Sequence, residues 1–274
     1  MLELGPQYFD FMATHFVVGN ASLRRQNPAP DFIARSALAL PVGLERKLRE
    51  MNAQIEADPR ARGRVRLAFT EWLFHGPDEH VPRFTNMGGA LCAAGFLNTL
   101  IRVSDFTPVA DMTGLIEFGG IFKKRSRVYG VPAYWAFRMY SAAGATVPVE
   151  VRATGETYDV TEGNNRIPEI PGVPYLDVVA ALNDAGDKLT LFAVNRDTTR
   201  DIAARIKLAG FRPAAQARVE TLAGTSIYQP NDEMRPEAVI PVKSVAAVAA
   251  PEFQYLFRRA SVTLIELSST GFSR

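Results

Sequence analysis

Residues 65–76, VRLAFTEWLFHG, constrain the fold more than any other stretch of this chain. Val65, Leu67, Ala68 and Phe69 make a short apolar run with β-favouring side chains. That is the length and content of a parallel strand covered on both faces. The run stops on a carboxylate, Glu71, followed at once by Trp72. In α/β folds the carboxyl ends of parallel strands are where ligands bind. The same residues also suit a core strand followed by a solvated Glu, and the stretch alone does not choose between the two.

The flanking segments supply the rest of an α/β unit. Residues 8–15, YFDFMATH, alternate Phe9, Phe11 and Ala13 against Asp10, Met12 and Thr14, which predicts a strand over 9–15 ending on His15. A helix follows over 32–40 with Asp31 as its cap, interrupted at Pro41. It resumes at Leu44, where Leu44, Leu48, Met51 and Ile55 form one apolar stripe, and it stops at Asp58-Pro59. Asn86 is placed to cap the next helix, with Met87, Leu91, Ala94, Leu97 and Ile101 at helical spacing. A third strand is expected over 109–118, carrying Glu117 near its end. An aromatic helix over 131–142 closes this half.

After Gly144 the helical period disappears. Short alternating runs at 147–153, 176–182, 189–194, 203–208, 217–222, 238–242, 253–257 and 262–267 are separated by turn residues, the pattern of a β-sandwich. Pro168, Pro171 and Pro174 mark a loop within it. The expected fold class is therefore α/β plus all-β, with domains at 1–143 and 144–274.

Composition narrows the function classes. Hydrophobic residues make up 47% of the 274-residue chain and charged residues 22%, the values of a soluble globular protein. A formal charge of +2, with Lys123-Lys124-Arg125 as the one basic block, argues against a dedicated nucleic-acid binder. The single cysteine, Cys92, excludes an internal disulfide and a cysteine-based zinc site. His75, Asp78, Glu79 and His80 cluster in a loop, but Pro77 and Pro82 deny it a regular helix, and neither metal nor cofactor is expected. No apolar run is long enough to span a membrane, and the start lacks a signal peptide's pattern. A cytoplasmic location fits, with secretion open to a chain that carries its signal on a further segment.

The run Ala68-Phe69-Thr70-Glu71-Trp72 resembles the nucleophile strand of glycoside hydrolase family 51, the α-L-arabinofuranosidases, which ends in Asp-Glu-Trp-Asn. Thr70 replaces the Asp and Leu73 the Asn. His15 matches the His of Ser-Leu-His on that family's sixth strand. Residues 112–117 lie in register with its eighth, where Gly114 replaces Gln and Glu117 replaces Asn. The resemblance implies the carboxyl-terminal part of a (β/α)8 TIM barrel, strands six to eight, followed by an antiparallel jelly-roll-like β-sandwich.

It also implies a function. The chain is expected to be part of a retaining α-L-arabinofuranosidase acting on terminal arabinofuranosyl residues, as in arabinan degradation. Glu71 is the nucleophile, and His15, Trp72, His75 and Glu117 are substrate-site residues. The family's acid/base Glu lies on the fourth strand, which this sequence does not include, so the chain alone is expected to be inactive. An N-terminal half chain or a homo-oligomer is the expected partner, with an arabinofuranosyl oligosaccharide or polysaccharide as substrate. The alternative is a non-catalytic carbohydrate-binding or assembly protein derived from such an enzyme.

Overall fold

The computed structural model of the protein describes residues 2–3, 5–19, 22–75, 81–114, 116–249 and 251–270, the side chains of residues 18–19 and 73–75 excepted. After a 3-10 turn at Pro6–Tyr8, β1 (Phe11–Gly19) leads through α1 (Pro30–Ala57) to β2 (Arg66–His75). α2 (Met87–Arg102) then leads to β3 (Val109–Met112). The three strands form a parallel sheet in the order β1-β2-β3, with β2 central. Parallel neighbours need such crossovers, and the helices supply them.

Helix α1 departs from the expected break. It runs through Pro41, which has no N–H for the carbonyl one turn back. Close packing on α2 holds it there. A Cβ on Gly95 would lie 2.8 Å from Pro41 Cγ, and Thr99 Oγ1 donates to the Pro41 carbonyl at 3.0 Å. At its start Pro30 takes the first helical position, so the cap falls on Ala29 and not on Asp31. The cap of α2 is as expected: Asn86 Oδ1 accepts from the Gly89 N–H at 3.2 Å.

Beyond β3 come a hairpin, β4 (Ile121–Lys124) and β5 (Arg127–Gly130), and then α3 (Pro132–Ala142). Gly144, at φ +62°, takes the left-handed turn after α3 that an L side chain resists. The remaining strands are β6 (Val147–Val149), β7 (Thr157–Val160), β8 (Ile170–Pro174), β9 (Leu176–Leu182), β10 (Lys188–Asn195), β11 (Ile202–Lys207), β12 (Pro213–Ala223), β13 (Val242–Ala247), β14 (Glu252–Phe257) and β15 (Ser261–Ser269). Six form an antiparallel sheet in the order β13-β12-β15-β10-β9-β6; β11 pairs with β14, and β7 with β8.

Several boundaries differ from the sequence reading. β1 and β2 run on four residues past His15 and Glu71, because Phe16-Val17-Val18 and Trp72-Leu73-Phe74 are themselves strand formers that continue the ladder. β3 is shorter than expected and ends at Met112, ahead of Gly114 at φ +68°. The run at 238–242 precedes its strand, which is β13. Pro171 and Pro174 lie within β8, in a two-stranded ribbon where a missing N–H can face outward.

Alternate residues of the six-stranded sheet feed two cores. Phe192, Val194, Val262 and Leu264 pack with the helices, and Leu189, Leu191, Ile265 and Leu267 pack under β11 and β14 with Phe253 and Phe257. The first core is continuous from Phe16 to Leu264, so it crosses Gly144.

One buried carboxylate joins the helices to that sheet. Asp177, on β9, accepts from Arg196 Nη2 at 2.8 Å and from Asn98 Nδ2 at 3.1 Å, and it pairs with Arg102. Burial alone would raise its pKa, but the guanidiniums of Arg196 and Arg102 outweigh that and hold the carboxyl below the usual carboxylate range. A depressed carboxyl pKa contributes stability above its unfolded value, about 3.9, and loses it as pH falls through the folded value. Asp177→Asn should therefore cost about 3–5 kcal/mol in urea unfolding at pH 7, since it strands a buried Arg196. The difference from the parent protein should shrink only below about pH 4. A gap that closes between pH 8 and 6 would contradict this account.

Candidate active site

Glu71 and His15 meet across neighbouring strands. His15 Nδ1 lies 2.8 Å from Glu71 Oε2, within hydrogen-bonding distance, with side chains 58% and 42% exposed. A break in strand register makes the meeting happen. Thr14 pairs with Phe69 but His15 pairs with Glu71, so Thr70 is an extra residue in β2. The pairing with β3 shifts over the same residues, between Phe69 and Trp72. Such a bulge reverses the facing of every residue beyond it in the strand.

The consequence is visible in the core. Leu67 and Phe69 face the helices, and regular alternation would send Glu71 after them. Instead Trp72 joins that core, fully buried, with its ring 5.5 Å from Phe96 of α2. Phe16, beside His15, packs on Phe96 as well, at 6.3 Å. The open face keeps His15, Glu71, Phe11 and Val17, the last two 48% and 36% exposed. The bulge therefore saves a carboxylate from burial and gives the core its largest ring.

The other expected site residues fall differently. Trp72 was expected to shape the substrate pocket, but it lies under the helix layer on the far side of the sheet from Glu71. Glu117 was expected at a strand end, but it is exposed in a turn at φ +72°, its N–H bonded to the Ile121 carbonyl at 2.9 Å. His75 ends β2 opposite Gly19, and its side chain lies outside the described residues, as do Asp78, Glu79 and His80. Among the described residues no three His, Cys, Asp or Glu side chains group as a metal site. A pocket of about 360 Å³ opens at Asp31, Tyr228 and Arg259, and one of about 510 Å³ at Gln54, Asp58 and Arg60; neither is lined by Glu71.

Known proteins share this fold. The family described as Alpha-L-arabinofuranosidase C-terminal domain matches residues 71–261. The chain belongs to that family. Its likeness to the Thermotoga maritima α-L-arabinofuranosidase in its arabinose complex has a TM-score of 0.82 at 22% identity, covering 97% of this chain and 55% of that one. The family-51 arabinofuranosidase of Xanthomonas axonopodis pv. citri gives 0.79 at 15% identity, over 98% and 55%. In sequence, the chain is 22% identical over 258 residues to the intracellular exo-alpha-(1->5)-L-arabinofuranosidase 1 of Bacillus subtilis, 87% of this chain and 48% of that protein. The family-51 chain here thus spans about half the length of these relatives and corresponds to their carboxyl-terminal part.

What the sequence reading missed is the bulge, and with it the side of the sheet that Trp72 takes. A signal was present. Phe69 and Trp72 both demand burial, yet strict alternation puts residues three apart on opposite faces. Deleting Thr70 should restore regular alternation and push either Glu71 into the core or Trp72 out of it. The cost should exceed about 4 kcal/mol, in the range reserved for buried charges and large cavities, whereas Thr70→Ser should stay within about 1 kcal/mol. A deletion variant with an unchanged urea midpoint would mean that the register break is not what orients the pair.

Proposed function

We propose that this chain is the carboxyl-terminal part of a retaining α-L-arabinofuranosidase in which Glu71 is the nucleophile. The observation that carries the reading is the His15–Glu71 pair at 2.8 Å on the open face of the parallel sheet, in a chain of this family. In this reading β1, β2 and β3 are the last three strands of a (β/α)8 barrel over 1–143, and 144–274 is a jelly-roll-like sandwich docked on its helices. A cytoplasmic location accords with the relative described as intracellular.

The chemistry follows from a two-carboxyl mechanism. The Glu71 carboxylate attacks the anomeric carbon, and the bond from that carbon to the leaving oxygen breaks as a second carboxylic acid protonates it. Water then displaces Glu71 from the glycosyl-enzyme and gives its proton to the second carboxylate. His15 fixes the orientation of the attacking oxygen and contacts the sugar at the same site. His75 and Glu117 belong to the rim. Trp72 acts from beneath, by holding the strand that carries Glu71.

The second acid is expected from outside these 274 residues, about 5–5.5 Å from Glu71 in a retaining geometry. The incomplete span relative to the relatives supports that expectation, as does a sheet face that no described residue walls off. A separate chain carrying the remaining barrel, or a second copy, would provide that wall.

Two outcomes are expected. The isolated chain should turn over a natural arabinoside poorly, because general-acid assistance worth about 10²–10⁴-fold is absent. Turnover at ordinary enzyme rates by the purified chain would overturn this. In an assembled enzyme, Glu71→Gln should abolish hydrolysis, and trapping experiments with a slow fluorinated arabinoside should label Glu71 in the parent. Label on another carboxylate would assign the nucleophile elsewhere.

A further inference from the structure

The one basic block in the sequence forms an exposed hairpin. Lys123, Lys124, Arg125 and Arg127 place four cations within five residues at the tip of β4 and β5, with Arg125 at φ +53° in the turn. Lys123, Lys124 and Arg127 are exposed and make no ion pair among the described residues. Arg125 alone has an anionic partner, Glu233 at 3.4 Å, and its side chain is 82% exposed. Asp232, next to Glu233, is engaged by Arg235 at 3.6 Å, and exposed Glu117, whose N–H bonds to the Ile121 carbonyl, lies at the foot of the hairpin and not at its tip. Like charges this dense cost folding energy unless something offsets them.

The hairpin also stands at a defined place. β3 ends beside Trp72, where the Thr113 N–H donates to the Trp72 carbonyl at 3.1 Å, and the chain goes on from there into β4. Phe122 of β4 stacks on Tyr129 of β5 at 6.0 Å and on Phe84 at 6.3 Å, and Phe84 comes from the segment leaving β2. The cations therefore rise from the carboxyl end of the parallel sheet, the end toward which the Glu71 strand runs.

We infer that this hairpin binds carboxylate groups on an acidic polysaccharide that bears the arabinofuranosyl substituents, so that the substrate class is a branched polymer with a uronate-containing backbone. The inference rests on the glycosidase reading and adds to it a subsite remote from the scissile bond. A repeating uronate presents one carboxylate per acidic sugar at a flexible spacing, which exposed lysines and an arginine can follow without a rigid pocket. Single-stranded nucleic acid, which needs rings on which bases stack, is the competing polyanion for the test to decide, since Phe122 and Tyr129 stack inward while Phe118 before the hairpin is half exposed.

The test is binding, which requires no turnover. The purified chain is titrated with polygalacturonate, with neutral linear arabinan and with a single-stranded polynucleotide, at low and at high salt. The expected result is salt-sensitive binding of polygalacturonate. The triple variant Lys123→Gln, Lys124→Gln, Arg127→Gln should weaken it about tenfold, the sum of three exposed ionic contacts. Binding of neutral arabinan should not change. All three positions are exposed, and an unchanged thermal midpoint checks that the variant is folded. Undiminished polygalacturonate binding by the folded variant would overturn the inference, and so would tighter binding of the polynucleotide. Neither result touches the assignment of Glu71, and an unlabelled Glu71 would leave hairpin binding measurable.

Discussion

The arrangement of the whole molecule depends on the buried carboxylate of Asp177. Taking a carboxylate and two guanidiniums out of water is expensive, so such a cluster is not there to maximise stability. What it does is geometric. Asn98 and Arg102 come from α2, Asp177 from β9, and Arg196 from the residue after β10. Tyr140 of α3 extends the chain, donating its hydroxyl to Asn98 Oδ1 at 2.7 Å. Burial raises the Tyr140 pKa well above its usual value, so the hydroxyl stays a donor at any physiological pH. Each member pairs with another in this one arrangement, although Arg196 Nε is buried without a hydrogen-bond partner. Sliding the helices over the six-stranded sheet would leave charges unpaired, whereas apolar contacts alone would tolerate a shift.

That fixed docking bears on the site through α2. Phe96, on the same helix as Asn98, is the surface on which both Phe16 and Trp72 pack. Those two rings sit directly beside His15 and Glu71 in sequence and hold them from behind the sheet. The bulge at Thr70 converts this support into exposure on the other face. A carboxylate sited by a strand, backed by a rigid ring and touched by a histidine is held more narrowly than one on a loop, as the proposed nucleophile role requires.

Legibility from sequence followed the kind of information each feature needs. The three helices, the order of the elements and most of the later strands were legible because their periodicity is local. So was the Asn86 cap, whose signal is one residue before an apolar run. Pro41 misled because its cost is local while its support is not. The packing of Gly95 and Thr99 against it comes from a helix more than fifty residues away. Strand ends at His15 and Glu71 were misplaced because a polar residue in a strand was read as its terminus, when the pairing of β1 with β2 continues past both. The face taken by Trp72 depends on one unpaired residue, and pairing is a property of two chains of residues, not one. For the Asp177 cluster a trace was present, in Asn98 and Arg102 one turn apart on an otherwise apolar helix. Their partners lie in the sheet and could not be named.

The open side of the parallel sheet brings these threads together. Among the described residues β1 and β3 each have one edge without a strand, and such edges attract pairing. The face between them exposes Phe11 and Val17 beside the polar His15 and Glu71. A surface of this mixed kind is poorly suited to water alone and poorly suited to a dry core. It suits a cavity wall, where apolar residues near the β1 entry pack against neighbours and polar ones near the exit meet substrate. In the proposed enzyme, the two edges pair with the fifth and first strands of the barrel, and the fourth, which carries the second carboxyl group, is brought opposite Glu71 by the same closure. Closing the sheet and supplying the second carboxyl group are then one structural event, and the catalytic site cannot form in part. Without that closure the exposed edges would persist and Glu71 would have His15 but no second carboxyl group, so in the proposed enzyme the stability of this part is tied to the completion of its chemistry.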